Sequence, residues 1–283
     1  MSAATSTSSG ARLRGAFRSP TTAFATVSLA VIVLGVGALG PAITSYAPDS
    51  ISLAERLQAP SAAHWLGTDE LGRDLFSRIA HGTVLSVGSA VLVALTTAAL
   101  GMVLGGLAGL LGGWIDTSLM RAMDILLSLP ALLLAIALAA ALGPGLVNAL
   151  IALVVVRVPV YARLARNQAL SLRRRAFVEA SIVLGAGKLH LLVAHLVPNM
   201  LPVIVVQAFA DIAGLILATA ALGFIGLGAQ PPTPEWGALV ASSRYFISDA
   251  WWYALFPGLA IFLTAIAFNL IGDALRDWLD PRD

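Results

Sequence analysis

The chain has 283 residues, of which 58% are hydrophobic and only 11% are charged, and its mean hydropathy is +0.88. Soluble domains are usually about 25% charged, so this composition predicts a membrane protein. The net charge of +2 is too small to indicate a nucleic-acid partner. Because the chain contains no cysteine, disulfides, thiol catalysis and thiolate metal sites are excluded.

The N-terminal part predicts a tail followed by one membrane helix. Residues 1–20 are rich in Ser, Thr and Ala, which is typical of a flexible tail. Residues 21–45 have an apolar centre at 23–43, inside an uncharged run that is long enough to cross a bilayer. This run exceeds the apolar region of a signal peptide, which is about 7–15 residues, so we expect an uncleaved first transmembrane helix.

Residues 46–81 predict an extracytoplasmic loop with a short interfacial helix. Thr68 or Asp69 is a suitable N-cap, and Leu71, Leu75 and Ile79 then recur every four residues. This spacing favours an amphipathic helix on the membrane surface over a ligand site. The histidines of the loop have no companion ligands at metal-binding spacing, so no metal site is expected.

The rest of the chain predicts a core of five transmembrane helices at residues 82–275, followed by a C-terminal segment at 276–283. An uncharged run is divided by Gly143-Pro144-Gly145, which reads as a tight turn. The sequence therefore predicts an all-α polytopic membrane protein with six transmembrane helices. After the first helix, the predicted spans are 82–115, 122–142, 146–162, 200–222 and 252–271.

The second span carries glycines at every fourth position, namely Gly101, Gly105, Gly109 and Gly113. These glycines share one helix face, and small residues allow two membrane helices to approach closely. The pattern favours helix packing within the subunit, with a face that slides during transport as the alternative.

Two polar residues inside the later spans are candidates for a translocation pathway. Asp211 lies half-way along the fifth span, where a carboxylate is costly and normally faces a partner or water. Binding a substrate ammonium group, binding a proton and pairing with a neighbour are its three open roles, and a pathway or packing role is favoured over proton coupling. Asn269 lies near the end of the last span, where helix capping and local pairing are its default roles.

Residues 173–198 are too polar to form a span and predict a hairpin of two helices. Gly185 and Gly187 supply the turn, and the second helix is expected to end at Pro198. The predicted apolar or small faces consist of Phe177, Ala180, Ser181 and Leu184 on the first helix, and of Leu189, Leu192, Val193 and Leu196 on the second. Such a hairpin suits docking into a groove of a partner, and the alternative is a hairpin resting on the inner leaflet.

The hairpin also contains the letters GAGK, which resemble part of a phosphate-binding loop. A Walker loop requires glycine at position 182 and a hydroxyl residue at position 189. The sequence has Ile182 and Leu189 there, so it predicts no ATP hydrolysis by this chain.

The basic residues predict the orientation. All but four of the 17 Lys and Arg residues are assigned to the inner side, with Arg157 counted there from the inner half of its predicted span, and the exceptions are Arg56, Arg73, Arg78 and Arg244. Because cytoplasmic loops carry the excess of basic residues, both termini are expected in the cytoplasm.

Four segments resemble a known family of transport proteins. The spacing of Glu179-Ala180-Ser181, Gly185 and Pro198 is similar to the EAA loop of bacterial ABC importer permeases. LGTDELGRDLFSRIAHG, LGAQPPTPEWGALV and FNLIGDALRDWLDPR resemble the C-type permease of the dipeptide, oligopeptide and nickel branch, closest to dipeptide permeases. The match runs from about residue 64 to the C-terminus. Ser181 replaces the third alanine of the loop, and His195 and Val197 replace aliphatic residues near the proline.

The resemblance implies a type I importer permease with a MetI-like core, whose hairpin is the cytoplasmic coupling helix. The residues that it assigns to ATPase coupling are Glu179, Ala180, Ser181, Gly185, Ala186 and Pro198. It further implies a multi-pass protein of the bacterial plasma (inner) membrane that forms a heterodimer with a second, homologous permease. Two ABC ATPase subunits and an extracytoplasmic solute-binding protein complete the assembly. The chain would have no catalytic residue and no cofactor, because ATP and Mg would be used by the ATPases.

The implied function is ATP-driven uptake of dipeptides or oligopeptides by alternating access. The same machinery with nickel or another chelated ligand as cargo is an alternative. A stand-alone secondary transporter or channel, with Asp211 as its ion site, is a remote one. A membrane enzyme is disfavoured, since neither an HExxH zinc motif nor a GxSxG nucleophile motif is present.

Overall fold

The structure is a computed structural model that describes residues 35, 39–40 and 42–279. The predicted tail, almost all of the predicted first transmembrane helix and residues 280–283 lie outside the described residues. The described part is helical. Besides a short 3-10 helix at Leu53–Glu55, its helices are α1 (Leu75–Leu111), α2 (Gly113–Leu127), α3 (Ala131–Leu142), α4 (Leu146–Leu172), α5 (Ala176–Val183), α6 (Lys188–Phe224), α7 (Trp236–Ser243) and α8 (Trp251–Leu279).

Four of the described helices, α1, α4, α6 and α8, are long and apolar enough to cross a membrane. The bent pair of α2 and α3 makes a fifth span if it is counted as one. The all-helical polytopic fold is confirmed for the described residues. The predicted total of six spans includes the first helix, so it stays a prediction.

The third predicted span differs from the structure. Residues 122–142 were expected to form one helix, but α2 ends at Leu127 and α3 leaves it at an angle of 93°. Pro130 explains the break, because proline has no N–H for the helix and disfavours helical geometry at the residue before it. The third span is therefore a broken helix.

The helices α1 and α4 pack closely through the predicted glycine face. A Cβ atom added at Gly101 would collide with Tyr161, one at Gly105 would collide with the Ala162 carbonyl, and one at Gly109 would lie 2.7 Å from the Ala169 Cβ atom. Each of these glycines of α1 thus lies directly against the backbone or Cβ atoms of α4.

Gly113 does not belong to this face. Helix α1 ends at Leu111, and both Gly112 and Gly113 have positive φ angles, of 65° and 58°. No atom lies within 4 Å of a Cβ atom added at Gly113. The four-residue glycine repeat extends to Gly113 in the sequence, but α1 ends before it, so Gly113 does not share the face of the other three glycines.

The fifth span begins earlier than predicted. The second hairpin helix does not stop at Pro198, since α6 runs unbroken from Lys188 to Phe224. A wider π-helical turn at Leu191–Leu196 precedes the α-helical part that contains Pro198. A proline cannot donate the usual i to i−4 hydrogen bond and its ring crowds that carbonyl, so a locally widened turn lets the helix continue.

At the opposite end of the bundle, the predicted interfacial helix is replaced by an irregular loop with paired charges. The N-cap of α1 is Asp74, whose carboxylate accepts the Ser77 N–H at 2.7 Å, and not Thr68 or Asp69. Arg73 Nε lies 2.6 Å from the Asp69 carboxylate, and Asp69 has no exposed side chain. The predicted stripe failed because the charges beside it pair inside the protein, and Leu75 and Ile79 are buried in the first turns of α1.

The segment between α6 and α7 is held at this same end. The Glu235 carboxylate caps α7 by accepting the N–H groups of Gly237 and Ala238 at 2.8 and 2.9 Å. Trp236 Nε1 donates to the Ile79 carbonyl of α1 at 3.0 Å. Burial raises the pKa of the Glu235 carboxyl above its ordinary value, although these N–H groups and the Ser86 hydroxyl partly oppose the rise. The contacts of Glu235 and Trp236 join α1 and α7.

We predict that Gly105→Ala lowers the free energy of unfolding of the purified protein by about 1–3 kcal/mol, the usual range for an overpacked contact, and lowers its melting temperature. The added methyl group has no room beside the Ala162 carbonyl. Gly88→Ala is the matched control, since it lies on the same helix with no atom within 4 Å of the added Cβ. Its stability should stay unchanged or rise, because alanine favours helix more than glycine does. Equal melting temperatures for the two variants would contradict the packing contact.

Candidate functional sites

The hairpin consists of α5, a turn and the first turns of α6. Helix α5 ends with Leu184, and Gly185 has a φ angle of 84°, which favours glycine. The N–H of Ala186 donates to the Ser181 carbonyl at 3.0 Å and closes the turn. Gly187 has a φ of −68° and directly precedes α6. The reversal of chain direction between α5 and α6 therefore depends on Gly185 rather than on both glycines.

The hairpin exposes a surface of large apolar side chains. Val178 of α5 is fully buried and anchors the hairpin on the bundle, whereas Glu179 and Ala180 beside it are exposed. The exposed apolar side chains, with exposed fractions from 44% to 86%, are Phe177, Ile182, Val183, Leu184, Leu189 and Val193. We call these six residues the hairpin surface.

The predicted face of the second hairpin helix is split. Leu192 and Leu196 are buried together with Leu191, but Leu189 and Val193 point away from the bundle. The prediction assumed 3.6 residues per turn, and the π-helical turn at Leu191–Leu196 contains more. The wider turn changes the angular spacing of the side chains, and Val193 falls outside the buried face. Leu189 lies just before this turn and is exposed as well.

The two polar residues that depart from the family pattern contact each other. Ser181 Oγ lies 3.0 Å from His195 Nε2, and it also donates to the Phe177 carbonyl at 3.0 Å. The His195 ring packs against Phe177 and His190, with ring centroids 6.0 and 5.4 Å apart. The contact between Ser181 and His195 thus ties α5 to the first turns of α6.

Asp211 of α6 forms an ion pair with a residue of α4. Its Oδ1 atom lies 2.8 Å from Arg157 Nη2 and accepts a hydrogen bond from Gln207 Nε2 at 3.1 Å. Arg157 Nε is buried without a hydrogen-bond partner among the described residues, and the buried Tyr161 of α4 faces the Asp211 carboxylate. The structure therefore has an incompletely satisfied ion pair in the middle of two spans.

Arg157 was missed by the sequence analysis as a site residue, because it was counted among the basic residues of the inner side. The structure places it well inside α4, which runs on to Leu172. The sequence did contain a signal for the pairing of Arg157 with Asp211. A basic residue in one predicted span and an acidic residue in another are expected to pair, since a lone charge in the membrane is costly.

Asn269 does not join this pair. Its side chain is exposed on α8, and the recorded hydrogen bonds of Asp211 in the described residues go to α4 and to Gln207. Within the described part of the chain, no group of three or more His, Asp and Glu side chains is arranged to hold a metal ion.

The chain is similar to known membrane components of transport systems. Residues 101–282 match the family described as binding-protein-dependent transport system inner membrane component. The probable D,D-dipeptide transport system permease protein DdpC of Escherichia coli is 49% identical over 260 residues, which cover 91% of this chain and 87% of that protein. The di/tripeptide transport system permease protein DppC of Pseudomonas aeruginosa is 47% identical over 80% of this chain and 75% of that protein. The nickel transport system permease protein NikC of Escherichia coli is 43% identical over 90% of this chain and 94% of that protein.

One solved structure with a similar fold is the inward-facing MetNI methionine ABC transporter. The match has a TM-score of 0.53 and 20% sequence identity, and covers 70% of this chain and 95% of that chain. At this identity the likeness concerns the fold, which agrees with the expected MetI-like core.

We predict that Ser181 and His195 are energetically coupled. Ser181→Ala or His195→Leu alone should lower the local free energy of opening of the hairpin by about 0.5–1.5 kcal/mol, the usual contribution of one hydrogen bond. The double variant should lower it by less than the sum of the two single effects. Hydrogen–deuterium exchange of residues 176–196 measures this local stability. Ser128→Ala removes a hydroxyl that donates to the Ile125 carbonyl outside the hairpin, so it should leave that exchange unchanged. Additive effects of the two hairpin substitutions would contradict the coupling.

Proposed function

The chain belongs to the family of binding-protein-dependent transport system inner membrane components, and we propose that it is the translocation subunit of an ATP-driven importer of dipeptides or oligopeptides. It is a multi-pass, non-catalytic permease subunit of an ABC transporter, and the family acts with ATPases and a solute-binding protein. Peptides are the proposed cargo because two of the relatives above are named for dipeptide or di/tripeptide transport. Nickel or another chelated ligand is the second candidate, since a nickel permease is 43% identical.

The observation that carries the coupling proposal is the hairpin surface. Six large apolar side chains exposed beside Glu179 and Lys188 are costly in water, and exposed apolar patches of this kind mark interaction sites. We assign the surface to an ATPase subunit, of which the complete transporter would hold two, using ATP and Mg. Glu179, Ala180, Ser181, Gly185 and Ala186 lie on or next to it, and Pro198 lies further along α6.

The proposed assembly also includes a second, homologous permease, and both termini of this chain lie in the cytoplasm of the bacterial cell. This orientation places the hairpin on the cytoplasmic side, where ATP is available. It places the loop with Asp69 and Asp74 on the outer side, where the solute-binding protein delivers cargo. The bias of basic residues toward the hairpin side supports this orientation.

The proposed mechanism is alternating access driven by the ATPases. Closure of the ATPases on ATP would displace α5, and Val178, Gly185 and the Ser181–His195 contact would pass the displacement to α6. Because α6 runs without a break from Lys188 to Phe224, movement at its hairpin end changes the position of the whole span. Release after hydrolysis would reverse the movement.

A secondary transporter with Asp211 as its ion site is less compatible with the geometry. The carboxylate already lies 2.8 Å from the Arg157 guanidinium, which occupies the place beside it that a coupling cation would need. Asp211 therefore fits a packing or pathway role better than ion coupling. Asn269 keeps its place as a candidate pathway residue on α8.

Reconstitution tests the proposed function. The chain alone in liposomes should give no uptake with an ion gradient, and the complete complex should take up a radiolabelled dipeptide only with ATP and Mg. Nickel ions with a chelator serve as the competing cargo in the same vesicles. Uptake by the chain alone would overturn the proposal, and uptake of nickel without dipeptide would reassign the cargo.

We predict that Glu179→Lys and Gly185→Arg uncouple ATP hydrolysis from uptake. Uptake by the complete complex should fall by roughly tenfold, in the usual range of coupling energies, while ATPase activity persists. Gly187→Arg is the matched control, because both glycines have open space around an added Cβ and only Gly185 needs a positive φ. Normal coupled uptake in the Glu179 and Gly185 variants would refute docking through this turn.

A further inference from the structure

A small cavity lies between α3, α4 and α6, next to the partly buried ion pair of Arg157 and Asp211. Its volume is about 150 Å³, and its walls are apolar except for Arg157. Small residues keep it open, among them Ala131 and Ala135 of α3 and Gly214 and Ala218 of α6. A complete small-molecule site is usually about 300–1,000 Å³, so this cavity fits one end of a peptide rather than a whole one.

Arg157 lines this cavity, and its guanidinium has more donors than the one that faces Asp211. A guanidinium has five N–H groups in a planar fork that matches a carboxylate. The ion pair with Asp211 is made through Nη2, the Nε atom is without a partner among the described residues, and 27% of the side chain is exposed. Arg157 can therefore accept a second carboxylate without leaving Asp211.

Stability alone does not explain this pair. A buried ion pair is often no more stable than apolar side chains of similar size, and charged groups inside membrane spans are mostly functional. The pair also leaves the buried Arg157 Nε atom without a hydrogen-bond partner among the described residues. Both observations fit a charge that is kept for a ligand.

We propose that Arg157 binds the carboxylate group of a peptide in this cavity, with Asp211 as the positioning residue that holds the guanidinium. This inference rests on the proposed peptide cargo. A peptide carries its own ammonium group, which offsets the added negative charge in a medium where an unbalanced charge is costly. A simple anion has no such group, so Arg157 favours zwitterionic solutes with a free carboxyl end.

The test uses the complete complex in proteoliposomes at saturating loaded binding protein, so that the maximal uptake rate reports the permease. The key variant is the double substitution Arg157→Gln with Asp211→Asn, which keeps a hydrogen-bonded pair but removes both charges. We expect its maximal rate for a dipeptide to fall by about tenfold, because a charge-assisted hydrogen bond to the cargo is lost. The wild type should transport the dipeptide faster than its C-terminal amide, and the double variant should lose this preference.

The pair of Arg163 and Asp124 is the matched control. It also joins α4 to another helix, at 2.6 Å, but both side chains are about half exposed. Arg163→Gln with Asp124→Asn should leave the rate and the preference for a free carboxylate unchanged. If the Arg157 double variant does not assemble, Arg157→Lys replaces it, since a lysine keeps the charge but loses the planar fork, and the same losses are expected.

The experiment tests the peptide cargo and the role of Arg157 separately. A wild-type complex that takes up no dipeptide would refute the proposed peptide cargo. Wild-type uptake with an unchanged rate and preference in the assembled Arg157 variant would refute the role of Arg157 and leave the cargo standing.

Discussion

The close contact between α1 and α4 fixes the positions of both candidate sites. Gly101, Gly105 and Gly109 bring the backbone of α1 against α4, where lipid supplies no hydrophobic force to hold two helices together. Helix α4 carries Arg157 in its middle and leads directly into the hairpin at its end. Arg173 at that end donates to the Gly109 carbonyl at 3.0 Å, so the same glycine face also holds the start of the hairpin.

Helix α6 joins features that appear separate in the sequence. Its first turns carry Leu189 and Val193 of the hairpin surface, and Asp211 lies near its middle. Gly223 near its end leaves room for the Glu235 side chain. A single helix therefore connects the proposed ATPase contact with the intramembrane ion pair and with the segment that caps α7. The π-helical turn directly before Pro198 is one place where this helix accommodates a proline without ending.

The sequence predicted features that depend on local composition, and it failed where tertiary contacts decide the outcome. Hydropathy located the described spans, and the four-residue glycine spacing located the packing face up to Gly109. The bend at Pro130, the continuation through Pro198 and the N-cap at Asp74 were missed. The sequence offers several prolines and several capping residues, and packing against neighbouring helices determines which of them ends or begins a helix. The partner of Asp211 was missed for a related reason, since a charge count by position cannot show that two helices bring Arg157 within 2.8 Å.

The ion pair between Arg157 and Asp211 is sensitive to movement of the hairpin. Arg157 and Asp211 belong to different helices, and a hydrogen bond weakens steeply once its atoms separate by more than a few tenths of an ångström. A shift of α6 against α4 of about 1–2 Å, which is common in switching proteins, is enough to break or re-form the contact. The hairpin lies at the start of α6 and at the end of α4, so a force applied there acts on both helices of the pair. The affinity of Arg157 for a carboxylate would then depend on the state of the hairpin, because Asp211 positions the guanidinium only while the two helices keep this contact.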